Sequence, residues 1–376
     1  MAVKATPGCR AAGARLLFLL LPLWALWPLA FTLAELPRRI LISAAVAAAP
    51  RKATKDELYE IAGAFAKLAT DPRAPSASSV YEEAEATLGN AISKWESGAI
   101  TAPAIVEEKA RLRLGRARAR IALNDMVGGS LPEKAKGAVE DYDVAIGIME
   151  DDLRRNPDKL MYSEYPDALV KRGLANEELK NWARAAQDYT KAIDALRPKD
   201  GRPDKAMKGD ATIQEGDGLG MNPLILNFRG NALSQLGRYD EAVEDYREAT
   251  QIFDNDGEVR QASFSRANEA LALFGAGRDA EAEKVMQVVV RNDPGVTDAH
   301  VALAASYWSQ RKIAEAESQW KFACENIDTG CQSYKDLKWV AEIRRWPPSL
   351  VAGKPVDGDS EGQSSPKRDA CSNLIV

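Results

Sequence analysis

The chain has 376 residues, of which 45% are hydrophobic and 28% charged, a composition typical of a folded protein and not of a disordered one. The formal net charge of the whole chain is −5. Residues 1–50 contain five Lys or Arg and one Glu, so the rest of the chain has a net charge of −9. An acidic body argues against nucleic acid as the main partner, because phosphate binding requires clustered Lys and Arg. With one His and four Cys, the chain also has few candidate metal ligands or nucleophiles. We therefore predict no catalytic residues, no metal and no cofactor.

Residues 1–50 have the pattern of a targeting segment. Three basic residues precede an apolar run over 16–34, which is the order found in N-terminal signals. This run has 19 residues and reaches the lower limit for spanning a bilayer, so a retained membrane anchor is the alternative. Arg38-Arg39, a short apolar stretch and an alanine-rich run follow. This second signal resembles a twin-arginine thylakoid-transfer peptide. The Ala30-Phe31 junction resembles the cleavage point of presequences in algae whose plastids are reached through the secretory pathway. Two signals in series predict two membrane crossings.

The pattern that organises the rest of the chain is an alanine, then an aromatic or apolar residue four positions on, then a small or apolar residue three further. It occurs six times, at Ala84-Leu88-Ala91, Ala138-Tyr142-Ala145, Ala185-Tyr189-Ala192, Ala242-Tyr246-Ala249, Ala282-Met286-Val289 and Ala316-Trp320-Ala323. Successive first alanines are 54, 47, 57, 40 and 34 residues apart. The spacing matches the tetratricopeptide signature, in which each repeat is a hairpin of two helices. We predict an all-α solenoid of about six hairpins. The repeats are regularly spaced in the C-terminal half, and insertions lengthen the spacing in the N-terminal half.

In chain order, we predict an opening helix over 55–70 and its partner over 79–95. Further helices follow over 105–123 and 133–153, and later repeats over 166–196, 222–250, 258–294 and 296–326. The solenoid occupies 51–351, with a loop insertion over 198–223 and a capping helix over 335–345 that ends before Trp346-Pro347-Pro348. The Gly- and Ser-rich tail over 352–376 is predicted to be disordered. The single histidine, His300, is assigned to packing.

Two features before and after the regular repeats leave alternatives open. The helix over 105–123 carries five arginines, which could dock an anionic lipid surface or an acidic partner. We favour the alternative that they pair with nearby acids, among them Glu107, Glu108, Glu140 and Asp141. Cys324 and Cys331 could form a small-loop disulfide in an oxidising compartment, but we favour one buried and one loop thiol.

Three motifs from the fourth repeat onward resemble a known family. They are Asn227-Phe228-Arg229-Gly230-Asn231-Ala232, the run from Arg266 to Leu273, and above all Arg344-Arg345-Trp346-Pro347-Pro348. The chain resembles, over roughly 166–351, a tetratricopeptide family of cyanobacteria and of the plastids of algae and plants. The resemblance implies a thylakoid-associated helper protein without enzymatic activity, whose protein partners could include photosystem subunits.

Stacked hairpins form a concave face lined by the first helix of each repeat, where an extended peptide can bind. By register, this peptide-binding groove is predicted to include Asn227, Asn231, Gln235, Phe264, Asn268 and Trp308. The asparagines there could bracket a peptide backbone, because each amide both donates and accepts hydrogen bonds. A clamp for a C-terminal carboxylate is not expected, because the matching positions hold no Lys or Arg.

The sequence therefore predicts a non-catalytic protein-interaction scaffold that helps to assemble or maintain a photosynthetic thylakoid complex. The alternatives are a stably bound structural subunit of such a complex and a secretory-pathway co-chaperone. An enzyme is disfavoured, since the sequence contains no paired carboxylates, metal-ligand spacing or phosphate loop. The predicted location is the thylakoid lumen or membrane, with a secretory or membrane-anchored location as the alternative.

Overall fold

A computed structural model describes residues 51–100, 106–157, 163–197, 222–327 and 330–351. The first twelve helices form six consecutive antiparallel hairpins. Their bounds are α1 Lys55–Lys67, α2 Ala77–Glu96, α3 Val106–Met126, α4 Pro132–Arg155, α5 Glu164–Glu178, α6 Trp182–Leu196, α7 Leu224–Gln235, α8 Tyr239–Asn255, α9 Val259–Gly275, α10 Asp279–Asn292, α11 Thr297–Ser309 and α12 Ile313–Glu325. No β-strand occurs in these ranges. The predicted all-α solenoid of about six hairpins is confirmed.

The recurring triplets form the core of every hairpin. The first alanine of each of the six triplets is fully buried, and none of the other twelve triplet residues exceeds 6% exposure. In the third and fourth hairpins, the aromatic member of the triplet packs against a glycine on the first helix of the same hairpin. Tyr189 lies against Gly173 and Tyr246 against Gly230, so close that a methyl group on either glycine would lie within 3 Å of the ring. Small residues on the first helix therefore make room for large ones on the second.

The turns within the hairpins need a left-handed residue to end the first helix. Gly237 and Gly277 supply it with φ values of 73° and 74°, and glycine adopts this conformation without steric cost. Lys180 and Arg311 take the same conformation in the third and sixth hairpins, with φ of 57° and 60°. The turn geometry is thus kept even where the sequence has no glycine.

Buried ion pairs join the two helices of several hairpins. Arg113, Arg116 and Arg120 of α3 all bond to the carboxylate of Asp141 in α4, which is fully buried. The pairing predicted for the basic helix is therefore correct for these three arginines. Their other partners include Glu85 and Glu96 of α2, which the sequence did not indicate. One arginine of the first helix pairs with one aspartate of the second in the third hairpin, Arg172 with Asp188, and in the fourth, Arg229 with Asp245.

After α12 the chain forms shorter elements. A disulfide joins Cys324 to Cys331, so the free-thiol interpretation was wrong. A 3-10 helix, Gln332–Lys335, precedes α13, Leu337–Glu342, and α14, Pro348–Val351. The predicted capping helix is thus present but shorter than 335–345, because the chain leaves helical geometry at Ile343 and Arg345 has a φ of 58°.

Three predicted segments fall outside the described residues: the targeting segment 1–50, most of the loop insertion 198–223, and the tail 352–376. Within the described ranges, no helix combines the length and apolar character needed to cross a bilayer.

Candidate peptide-binding groove

The first helices of the last four hairpins lie side by side. α5 contacts α7, α7 contacts α9, and α9 contacts α11, whereas the described second helices α6, α8, α10 and α12 make no comparable contacts with one another. The stack is therefore tighter on the side of its first helices. This side is the concave face of the solenoid, and we call its surface over α5, α7, α9 and α11 the groove.

Three of the six predicted groove residues line one cavity of about 450 Å³. Asn231 and Gln235 come from α7, and Asn268 comes from α9. The Asn231 side-chain oxygen accepts a hydrogen bond from the Tyr246 hydroxyl at 2.7 Å. Since that bond uses only the oxygen, the amide nitrogen of Asn231 remains available to a ligand.

The other three predicted residues do not line this cavity. Asn227 is 8% exposed and donates to the Ser265 hydroxyl at 2.8 Å, so it joins α7 to α9 beneath the groove. Phe264 is 45% exposed and lies under the Arg260 guanidinium, 5.8 Å from the ring centre. Trp308 is half-buried and packs against the core.

The opposite wall of the cavity comes from the protein's own C-terminal end. Residues 343–351, which we call the strap, cross the groove after α13, and 343–348 and Val351 line the cavity. α14 packs on α9 and α11, and the Ser349 hydroxyl donates to the Phe274 carbonyl at 2.9 Å. The groove therefore already holds a stretch of the chain's own polypeptide, which is non-helical over 343–347 and helical in α14.

The strap is anchored at Asp298, in the first turn of α11. The Asp298 carboxylate accepts hydrogen bonds from the Arg344 guanidinium, the Trp346 indole at 3.2 Å and the Tyr334 hydroxyl at 2.8 Å. Trp346 is 4% exposed and Tyr334 6%. Burial lowers the pKa of Arg344, but the Asp298 carboxylate outweighs this effect and leaves the pKa above its ordinary value. Burial and the same carboxylate raise the pKa of Tyr334. The Asp298 carboxylate is therefore a largely buried group that accepts four hydrogen bonds from three side chains.

A second contact holds the strap to the third hairpin. Arg345 reaches Glu177 at the end of α5, where its Nη1 lies 2.8 Å from the carboxylate, and its guanidinium stacks 4.6 Å from the centre of the Trp182 ring. The Glu177 carboxylate also accepts a 2.8 Å hydrogen bond from the Tyr189 hydroxyl. Gln235 donates to the Arg345 carbonyl at 3.4 Å. We call Glu177 and Trp182 the arginine pocket.

His300 belongs to the packing of the sixth hairpin. Its ring stacks on Phe322 at 4.4 Å between centres and lies 2.7 Å from the Gln319 side-chain oxygen and 3.1 Å from the Pro294 carbonyl. Burial lowers its pKa, although these two contacts act in the opposite direction. In the described ranges, no cluster of three or more His, Cys, Asp or Glu side chains is placed to hold a metal ion.

Sequence reasoning missed the groove residues with the strongest contacts. Asp298, Glu177 and Trp182 are absent from the predicted groove. The available signal was the Arg344-Arg345-Trp346 motif, whose two guanidinium groups require carboxylate partners somewhere in an acidic repeat. The sequence pattern could not say that these partners lie 46 and 168 residues away.

The fold and the groove are those of a helical-repeat interaction protein. Two tetratricopeptide-repeat family models match the chain, one over residues 134–201 and the other over 223–256. The first range includes α5, α6 and most of α4, and the second includes α7 and α8. The repeats indicate a protein-protein interaction scaffold with protein partners.

Several solved structures are similar in part. BtubC from P. vanneervenii is 14% identical, with 64% of this chain and 88% of that one covered and a TM-score of 0.43. A tetratricopeptide repeat protein from Parabacteroides merdae is 18% identical, with 69% and 91% covered and a TM-score of 0.30. Yeast Tom70 is 17% identical, with 72% and 60% covered and a TM-score of 0.26. No curated protein sequence gives a significant match.

Proposed function

We propose that the protein is a non-catalytic scaffold that holds an extended segment of a partner protein in the groove. The observation that supports this is the strap itself, because residues 343–351 lie against the groove as a polypeptide ligand would. Tetratricopeptide arrays bind such segments on their concave face. The side-chain amides of Asn231 and Asn268 are placed in the cavity to donate to and accept from a peptide backbone.

We further propose that the scaffold helps to assemble or maintain a photosynthetic complex in the thylakoid lumen or at its membrane. The support for this role is the pair of serial signals in residues 1–50, together with the resemblance of the Arg344-Arg345-Trp346-Pro347-Pro348 motif to plastid and cyanobacterial tetratricopeptide proteins. The Cys324–Cys331 disulfide fits a compartment outside reducing cytosol. It would fit the endoplasmic reticulum equally well, so the secretory co-chaperone remains the second candidate.

Fractionation tests this role. Thylakoids carrying the tagged full-length chain are treated with protease before and after lysis, then solubilised and separated on a density gradient. A helper is expected to be protected until lysis and to migrate with sub-complexes smaller than the mature complex. Constant stoichiometry with the mature complex would instead favour the structural subunit. Recovery in the endoplasmic reticulum, with residues 16–34 still attached, would refute the thylakoid role.

A further inference from the structure

The two consecutive arginines of the strap are held very differently. Arg344 bonds to Asp298 at two atoms, and Trp346 and Tyr334 donate to the same buried carboxylate. Arg345 makes one ion pair, to Glu177, through a single nitrogen, and both arginine side chains are 32% exposed. Arg345 is therefore held by fewer bonds than Arg344 and Trp346, the anchored residues on either side of it.

Release of Arg345 needs only its side chain to move. The side chain would lose one ion pair, to Glu177, and one ring contact, with Trp182. The anchor at Asp298 holds the neighbouring residues Arg344 and Trp346 and would stay closed.

The arginine pocket would then be left without its cation. Its Glu177 side chain is only 10% exposed and its carboxylate accepts from the Tyr189 hydroxyl, with the Trp182 ring beside it. A carboxylate next to an aromatic face fits a planar guanidinium, which can pair and stack at the same time, better than it fits a lysine. Next to this pocket, Asn268 lines the cavity with no hydrogen-bond partner of its own in the described ranges.

We propose that the groove recognises an extended, arginine-containing segment of the partner protein, and that Arg345 occupies the arginine pocket until the partner's arginine replaces it. This inference rests on the proposed scaffold function and names the chemistry of the ligand. The incoming arginine pairs with Glu177 and stacks on Trp182, and its backbone runs along Asn231 and Asn268. Because Arg345 is tethered, it competes at a high effective concentration, which weakens the binding of any external arginine.

Fluorescence anisotropy on the full-length chain tests this. The probe is a labelled synthetic peptide with the sequence of residues 341–351, and the matched peptide carries Gln in place of its second arginine. Arg345→Ala is expected to bind the arginine peptide at least tenfold more tightly than the unaltered chain. Adding Glu177→Gln to Arg345→Ala is expected to abolish this gain. Arg238→Ala, which removes an exposed arginine paired with Glu241, is the control and should bind as the unaltered chain does.

A measurement on the unaltered chain keeps the test valid if Arg345→Ala does not fold. Saturating arginine peptide is expected to shift the side-chain NMR signal of Arg345, which leaves the Trp182 ring, and to leave the Trp346 indole signal unchanged. The glutamine peptide should shift neither signal.

Equal binding of the two peptides would refute arginine recognition and leave groove binding, and with it the proposed function, in place. Equal affinity of Arg345→Ala and the unaltered chain would refute displacement of Arg345. If no peptide bound any variant, the inference would also fail, while the proposed function would still be judged by fractionation.

Discussion

The contact between first-helix glycine and second-helix tyrosine makes a sharp prediction for stability. In Gly173→Ala, the new methyl carbon would lie 2.5, 2.9 and 3.0 Å from three ring carbons of Tyr189. Carbon atoms prefer a separation of about 3.5 Å or more, so the ring must retreat by about 1 Å. Tyr189 is fully buried and its hydroxyl is bonded to Glu177, so it has little room to move.

The expected change in unfolding free energy combines two opposing effects. Overpacking a buried site costs typically about 1–3 kcal/mol, and the close contact at Gly173 places it at the upper end of that range. Alanine regains about 1 kcal/mol of helix propensity. The net loss is therefore about 2 kcal/mol. Gly147→Ala is the control, because Gly147 lies within α4 with no atom within 4 Å of the new carbon. It should stabilise the protein by about 0.5–1 kcal/mol.

Urea unfolding followed by circular dichroism measures both variants against the unaltered chain. The two midpoints should move in opposite directions, with a separation that corresponds to about 3 kcal/mol when the slopes are equal. If Gly173→Ala were as stable as Gly147→Ala, the tight packing between α5 and α6 would not exist in solution.

Three further predictions concern charge and covalent structure. Asp141→Asn removes the carboxylate shared by three arginines and should cost about 3–5 kcal/mol in thermal or urea unfolding; Asp151→Asn, an exposed pair on the same helix, should cost under about 0.5 kcal/mol. Reducing the Cys324–Cys331 disulfide, which spans seven residues, should lower stability by roughly 2–3 kcal/mol, and Cys324→Ser should abolish that response. The pKa of Glu178 is raised to about 7 by burial and by repulsion from Asp125. Because the folded state binds this proton more tightly than the unfolded state, the stability that Glu178 contributes is fully present below about pH 4.5. This contribution is lost as the pH rises through 7. The loss is under about 1 kcal/mol, since solvent reaches part of the residue and screens the repulsion, and Glu178→Gln should remove the pH slope.

Each of these three predictions has a contradicting result. Equal losses for the two aspartate variants would mean that the shared carboxylate is not buried in solution. A response to reductant that persists in Cys324→Ser would assign the effect to another group. Stability that rises between pH 5 and 8 only in the unaltered chain would reverse the sign derived for Glu178.

The local pattern of the chain was sufficient to predict the repeats. The Ala-Tyr-Ala spacing and the Gly230 position follow from helix periodicity, so the six hairpins and their buried triplets could be derived without knowing any tertiary contact. Individual groove positions were harder, because the same register places Asn231 in the cavity and Asn227 under it. Packing between neighbouring first helices decides which side chain stays accessible.

The strap could not be predicted by the same reasoning. A helical pattern up to Arg345 and a proline pair after it indicate only where a helix stops. The path of the chain after Ile343 depends on carboxylates supplied by α5 and α11, and on a left-handed residue that is not glycine. These are non-local contacts, and they place the chain's own arginines where a ligand would bind.

Site-specific photo-crosslinking in intact cells that contain the protein tests most directly whether the groove is the binding surface. The photoreactive residue is placed at Asn268 in the cavity or, as the control, at Glu244 on the second helix α8, whose side chain is 75% exposed. The account predicts a discrete adduct with a partner protein from Asn268, and none from Glu244. Adducts from Glu244 alone, or the same adducts from both positions, would contradict it.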